Sequence, residues 1–326
     1  MKENTRTLLI LHTAVFLAGW TGIFGRLISL GGLPLVWYRI LVSVATLALV
    51  LAVLGRLHKV SARAVLQIAG CGILLALHWT AFFASIQASN VSIGVACIAT
   101  TCFFTTLADP IINRKKLSWP EILISFISIA GVLLIFSLDV RYRLGIALGL
   151  LSAAIYSVFA VFNVNVARRT GEPTDTMLFY ELIGGALFLS LCMPIYGQIF
   201  PTEALAPSGW DFIWLLLLGS VFTIVPFLFQ LHALRKLSAF TVNLTYNLEP
   251  VYSIAIAALL FGEHQEVGWS FWIGLVLIVV SVLLQTRRIA QPERSQLPGH
   301  RHHRTETGCT PLRNRLRSAS GNRSMA

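Results

Sequence analysis

Three ionisable side chains, Arg39, His78 and Glu249, stand well inside long apolar runs of this 326-residue sequence, and chemistry is sought there first. A charged side chain at the centre of a membrane-length apolar run costs about 2.5–3.5 kcal/mol on insertion scales, so it is kept for a partner or a task. Thr241, Thr245, Glu249 and Tyr252 fall at helical spacing and form a polar stripe on one helix face. Asn243, Tyr246, Asn247 and Ser253 widen the stripe. Pro250 removes one backbone donor and frees a carbonyl near Tyr246, which a neighbour or a ligand must satisfy. A carboxylate at Glu249 can hold a cation or exchange a proton; its plainer use is as a neutral acid hydrogen-bonded to another helix.

Arg39 shares a helix face with Ser43 and Thr46 and can grip a carboxylate or phosphate through two parallel donors. The alternative is an arginine that snorkels to the interface or pairs structurally, and snorkelling is the favoured reading for Arg26. His78 with Trp79 could titrate and stack on a ligand, against the bland use of a satisfied core histidine. Trp20 and Tyr156 are candidate cavity walls, although membrane aromatics also serve as packing and belt residues. The candidate binding set is therefore Trp20, Arg39, His78, Trp79, Tyr156, Tyr246, Asn247 and Glu249. Asp109 and Glu181, nearer span ends that water reaches, suit a gate or vestibule.

Positioning these groups is a task for the bilayer as solvent. The chain is 56% hydrophobic and only 12% charged, with mean hydropathy +0.75 along most of its length. A water-soluble core cannot hide that much apolar surface. With roughly 20 apolar residues per span, ten all-α segments are predicted: 8–30, 33–54, 64–86, 91–112, 120–138, 144–167, 176–199, 210–234, 239–261 and 269–286. The first is too long for a secretory signal. Five cysteines, four of them in apolar runs, argue against a disulfide framework. Placing the N-terminus inside gathers Arg56, Lys59, Arg63, Arg114, Lys115, Lys116, Arg168, Arg169, Arg235 and Lys236 on the cytoplasmic side. The loops with Glu203, Asp211, Glu263 and Glu266 then face out, and both termini are cytoplasmic.

The halves echo each other. A shift of 150 lays LSWPEILISFISIAGVLLIF on VGWSFWIGLVLIVVSVLLQT, shifts of 136 and 142 pair Trp20 with Tyr156 and Tyr38-Arg39 with Tyr180-Glu181. Five spans per copy is an odd number, so the second copy enters upside down, and the loop charges do reverse sides. Such inverted repeats suit alternating access around a midplane site.

The segment YNLEPVYSIAIAALLFGE, with Glu249-Pro250 and Gly262-Glu263, resembles the second-repeat signature of the EamA-type drug/metabolite transporter superfamily, and the resemblance runs over residues 8–287. Thr100 stands where the 150-residue shift would place the first-repeat proline, while Asp109-Pro110 follows ten residues later. The resemblance implies ten helices, a cavity between the halves and secondary transport of a small metabolite, amino-acid-like compound or drug, as exporter or exchanger in a bacterial inner membrane. A passive facilitator or a lipid-linked flippase of the same fold are the competing readings. An enzyme is not expected, since HExxH, GxSxG and acidic-cluster motifs are missing from the sequence. The organisation expected is one five-helix repeat in 1–140, a second in 141–287 and a basic disordered tail in 288–326, which supplies much of the +11 charge. Expected partners are a small-molecule substrate and the lipid bilayer, with proton coupling and a homodimer admitted, no nucleic acid and no cofactor or metal.

Overall fold

The computed structural model describes residues 2–56, 58–117, 119–136, 140–234, 236, 245–246, 248–266 and 268–290. Asn247, all of 237–244 and the tail from 291 lie outside the described residues. The described residues are helical throughout: α1 Lys2–Gly19, α2 Thr21–Leu27, α3 Gly32–Val53, α4 Ala62–Ala88, α5 Val91–Ile98, α6 Thr101–Asn113, α7 Trp119–Phe136, α8 Arg143–Thr170, α9 Thr174–Ile199, α10 Asp211–Leu234, α11 Glu249–Phe261 and α12 Trp269–Ala290. Seven stretches are long and apolar enough to cross a membrane, and three shorter apolar helices occupy the remaining predicted spans. Leu49, Val53, Leu66, Leu191 and Leu259 are each more than three-fifths exposed, so the outer surface is hydrocarbon-facing. The protein is a multi-pass all-α membrane protein.

Two spans expected to be continuous are broken part-way. Between α1 and α2 the backbone tightens at Trp20, whose N–H donates to Leu17 O three residues back. Between α5 and α6 the N–H of Thr100 donates to Cys97 O and that of Phe103 to Thr100 O, again three residues back. A third such step, Leu248 N–H to Thr245 O, precedes α11. Tight steps of this kind mark hinges inside helices. The α5–α6 break has a local cause, because the hydroxyls of Thr100 and Thr101 donate to Cys97 O and Ile98 O at 2.6 and 2.7 Å. Those bonds offer the backbone carbonyls an alternative to the helix ladder.

The two halves pack as a swapped pair. Helix α4 packs on α8 and α9, as α10 packs on α1 and α3; α3 packs on α9 and α7 on α12, pairings that map onto themselves when the halves exchange. The residue shifts seen in the sequence hold in space. Gly72 lies against the backbone of Glu181, and Gly219, 147 positions after Gly72, lies against the backbone of Arg39, the residue paired with Glu181. Ser43 donates to Gly219 O at 2.8 Å, while Gly185, its partner by the shift of 142, approaches Gly72 O. At the α7–α12 crossing Gly131 meets Gly274 O and Ser281 donates to Ile124 O at 2.8 Å; the shift of 150 exchanges these two contacts. Glycine is required at such crossings because a Cβ at Gly72 or Gly184 would collide with the opposing backbone.

One end of the bundle carries Arg56, Lys115, Lys116 and Arg168 and is called the basic end; the other carries Glu203, Asp211, Glu263 and Glu266. At the basic end Arg56 pairs with Asp175 at 3.0 Å and His58 with Glu172 at 2.8 Å, tying the α3–α4 loop to the α8–α9 loop. The hydrogen bond to Glu172 raises the His58 pKa above its ordinary value.

Two expectations test this fold. Gly72→Val abolishes the monodisperse species on size-exclusion chromatography in detergent, whereas Gly70→Val, on a face where nothing lies within 4 Å, leaves it intact. Because the His58 pKa is raised on folding, its pairing stabilises below the ordinary histidine value near 6.5 and fades as pH rises through the folded value. His58→Gln therefore lowers the thermal midpoint slightly at pH 6 and leaves it unchanged at pH 9.

Candidate functional site

A cavity of about 230 Å³ sits between the repeats. Arg39 from α3, His78 and Trp79 from α4, Tyr246 and Glu249 converge on it, joined by Thr223 and Gln230 from α10. All three tight backbone steps border it: Ala18 and Thr21 flank the first, Ile98 precedes the second and Tyr246 and Glu249 straddle the third. The remaining wall is apolar and largely aromatic, with Phe82, Phe222 and Phe227.

Arg39 is the most constrained group in it. The residue is 3% exposed, its guanidinium lies over the Trp79 ring at 4.0 Å and the Phe83 ring at 5.6 Å, and Nε donates to Thr223 Oγ1 at 3.1 Å. One terminal nitrogen is buried without a hydrogen-bond partner. Stacking on an aromatic face contributes about 2 kcal/mol to a desolvated cation but supplies no hydrogen-bond acceptor. Glu249 faces the same cavity, yet no ion pair joins the two among the described residues, nor does a described donor reach the Glu249 carboxylate. The cavity therefore presents a cation and an acid held apart.

His78 is locked by α8. Ser152 Oγ donates to His78 O at 2.8 Å, and the ring Nδ1 lies 3.0 Å from Ser152 O. A carbonyl only accepts, so Nδ1 carries the hydrogen and Nε2 is left as an acceptor. Tyr156 stacks behind this ring with centroids 4.7 Å apart. Trp20 packs on Phe222 at 6.0 Å and on Phe16 at 6.4 Å. Trp20 and Tyr156 thus buttress cavity residues instead of lining the cavity themselves, at corresponding places in the two repeats. Tyr246 donates to Pro226 O at 3.4 Å, the carbonyl of the proline inside α10.

The candidate gate groups lie elsewhere. Glu181 is 3% exposed at the α4 crossing, with Asn163 donating to its carboxylate at 2.6 Å. Asp109 lies near the basic end, where Lys115 and Asn113 donate to it at 2.9 and 2.5 Å. Asn247 lies outside the described residues. Thr223 and Gln230 were not singled out from the sequence; their spacing of seven around Pro226 was the available signal.

The reading of Arg26 as a snorkelling side chain is corrected by the structure, which pairs it with the buried Glu263. Glu263 is 0% exposed and accepts from Arg26 at 2.7 Å, from the N–H groups of Val91 and Ser92 at 3.0 and 2.8 Å, and from the Ser92 hydroxyl at 2.6 Å. Arg26 also lies 4.6 Å over the Phe261 ring. A carboxylate at the start of α5 satisfies donors that the helix cannot, and its charge complements the helix dipole. The contact ties α2, α5 and the loop after α11 together at the acidic end. Nearby, Asp211 accepts from Ser29 N and Oγ at 2.9 and 2.5 Å.

A multi-pass bundle of swapped halves, broken helices and a central polar cavity is the architecture of a membrane transporter. The profile of the EamA-like transporter family matches residues 5–137 and again 143–287, and the chain belongs to that family. It is similar, at 22% identity over 66% of this chain and 70% of the other, to an uncharacterized transporter of Clostridium kluyveri (strain ATCC 8527 / DSM 555 / NBRC 12016 / NCIMB 10680 / K1). A solved crystal structure shares the fold at TM-score 0.57 and 16% identity, over 86% of this chain and 98% of that one.

Removing the Glu263 carboxylate leaves the N–H groups of Val91 and Ser92 without their acceptor and reduces Arg26 to its 3.6 Å contact with Glu266. Glu263→Ala is expected to cost roughly 3 kcal/mol, read as a large fall in thermal midpoint in detergent. Glu203→Ala, which removes the acceptor of an exposed hydrogen bond from the Tyr196 hydroxyl, costs less than about 1 kcal/mol.

Proposed function

We propose that this transporter carries a small zwitterionic metabolite, amino-acid-like in its charges, by alternating access of the two repeats around the central cavity. The supporting observation is the buried Arg39 nitrogen without a partner, facing the same cavity as Glu249. A cargo carboxylate completes the Arg39 guanidinium, a cargo ammonium meets Glu249, and Trp79, Phe82, Phe222 and Phe227 accept its apolar part. His78 Nε2 offers one further acceptor. Opposed charges held apart reject a cargo with only one of them, because the unmatched partner stays buried and unpaired.

Glu249 is also the coupling group. Proton uptake there competes with the cargo cation, so cargo release toward one side follows protonation from that side. The protein works as an exporter or exchanger in a bacterial inner membrane, basic end and both termini cytoplasmic, in keeping with the loop charge bias. The cavity groups serve binding and release; no bond of the cargo is made or broken.

Transport by the purified protein in proteoliposomes, scored by mass spectrometry of an amino-acid mixture, tests both parts. Arg39→Lys lacks the planar fork and lowers zwitterion flux ten- to hundredfold, the loss expected for one charge-assisted hydrogen bond. Glu249→Gln abolishes the dependence of flux on an imposed pH gradient. A parent protein whose flux ignores that gradient is a passive facilitator, and one that moves only membrane-partitioning cargo is a flippase.

A further inference from the structure

A second cavity of about 580 Å³ opens at the basic end between α6 and α8, which belong to different repeats. Lys115, Lys116 and Arg168 stand at its mouth. A chain of side-chain bonds spans the gap: Lys115 to Asp109 at 2.9 Å, Asn113 to Asp109 at 2.5 Å and Asn165 to Asn113 at 2.7 Å. Lys115 thereby neutralises the one carboxylate that lines the groove. Lys116 and Arg168 are exposed, and among the described residues neither lies within ion-pair distance of an acid. The mouth carries surplus positive charge.

Behind the mouth the α8 wall is apolar, with Ala160, Val161 and Val164, and faces Pro110 and the threonines Thr101, Thr105 and Thr106 of α6. Val164, in the wall of the groove, is 49% exposed. On a membrane-spanning helix this side chain faces acyl chains, so the groove is open sideways at Val164. A basic mouth at headgroup depth above an apolar, laterally open wall complements a molecule with an anionic head and a hydrocarbon tail.

We propose that the α6–α8 groove binds an anionic phospholipid of the leaflet at the basic end, its phosphate between Lys116 and Arg168 and its acyl chain along Val161 and Val164. The site is separate from the central cavity and does not depend on what that cavity carries. A zwitterionic lipid fits the same wall but brings a choline or amine cation to a mouth that is already positive.

Native mass spectrometry of the protein released from nanodiscs of equimolar phosphatidylglycerol and phosphatidylcholine reads the preference directly. Retained phosphatidylglycerol is expected on the parent protein, and the Lys116→Gln, Arg168→Gln double variant is expected to lose roughly an order of magnitude of that preference. The Arg63→Gln, Arg169→Gln variant removes the same charge from the same end outside the groove and is expected to keep it. All of these cations are exposed, so the variants retain the helical circular dichroism of the parent. Equal retention of the two lipids, or an equal loss in both double variants, would overturn the proposal. Displacement of the lipid by millimolar inorganic phosphate would overturn it as well, by assigning the basic mouth to a soluble anion.

Discussion

The buried guanidinium of Arg39 sets the terms for the middle of the protein. A permanently charged group in a low-dielectric interior has to be held by oriented partners, and three helices supply them: α3 carries it, α4 offers the Trp79 face and α10 the Thr223 hydroxyl. The close approach of α3 to α10 rests on Gly219 lying against the Arg39 backbone. Its counterpart in the second repeat, Glu181, occupies the same kind of seat against Gly72 but is satisfied by Asn163. One seat of the symmetric pair has become a packing position. The other leaves a donor free toward the cavity, and that asymmetry within a symmetric frame gives the cavity its polarity.

Backbone satisfaction is the second constraint, since lipid offers no hydrogen bonds to a broken helix. The three tight steps border the cavity, and threonine hydroxyls at the α5–α6 step donate to Cys97 O and Ile98 O. The first two breaks each divide a span into two helices, α1 with α2 and α5 with α6. Each end of the bundle is tied by an arginine on a buried carboxylate: at the acidic end Glu263 accepts from Arg26 and from the backbone of α5, and at the basic end Asp175 at the start of α9 accepts from Arg56.

Much of this was legible in the sequence because hydropathy and charge report composition and period. The spans, the reversal of loop charges and the shifts of 142 and 150 were all readable, and the shifts hold down to single contacts such as Gly131 with Gly274 and Ser281 with Ile124. Arg39, His78, Trp79, Tyr246 and Glu249 stood out as polar residues in apolar runs and do converge on one cavity. Thr223 and Gln230 did not stand out, since a threonine or glutamine in a long span has many uses and only the α3–α10 crossing aims them inward. The burial of Glu263 was hidden for a similar reason: its partner Val91, at the N-terminus of α5, lies 172 positions earlier in the sequence.

The broken span α5–α6 connects the two cavities. Ile98, on the last turn of α5, lines the central cavity, and Thr101, on the first turn of α6, lines the basic groove, so a single backbone step separates them. Only Thr106 of α6 is buried, whereas nearly all of α5 is, so α6 is the more loosely held half. On the proposed alternating access, α6 is the less buried part of this span and the Thr100 step is where it would move; a phospholipid seated in the groove against α8 would bear on it, and the charge of the leaflet would then enter the balance between the two states.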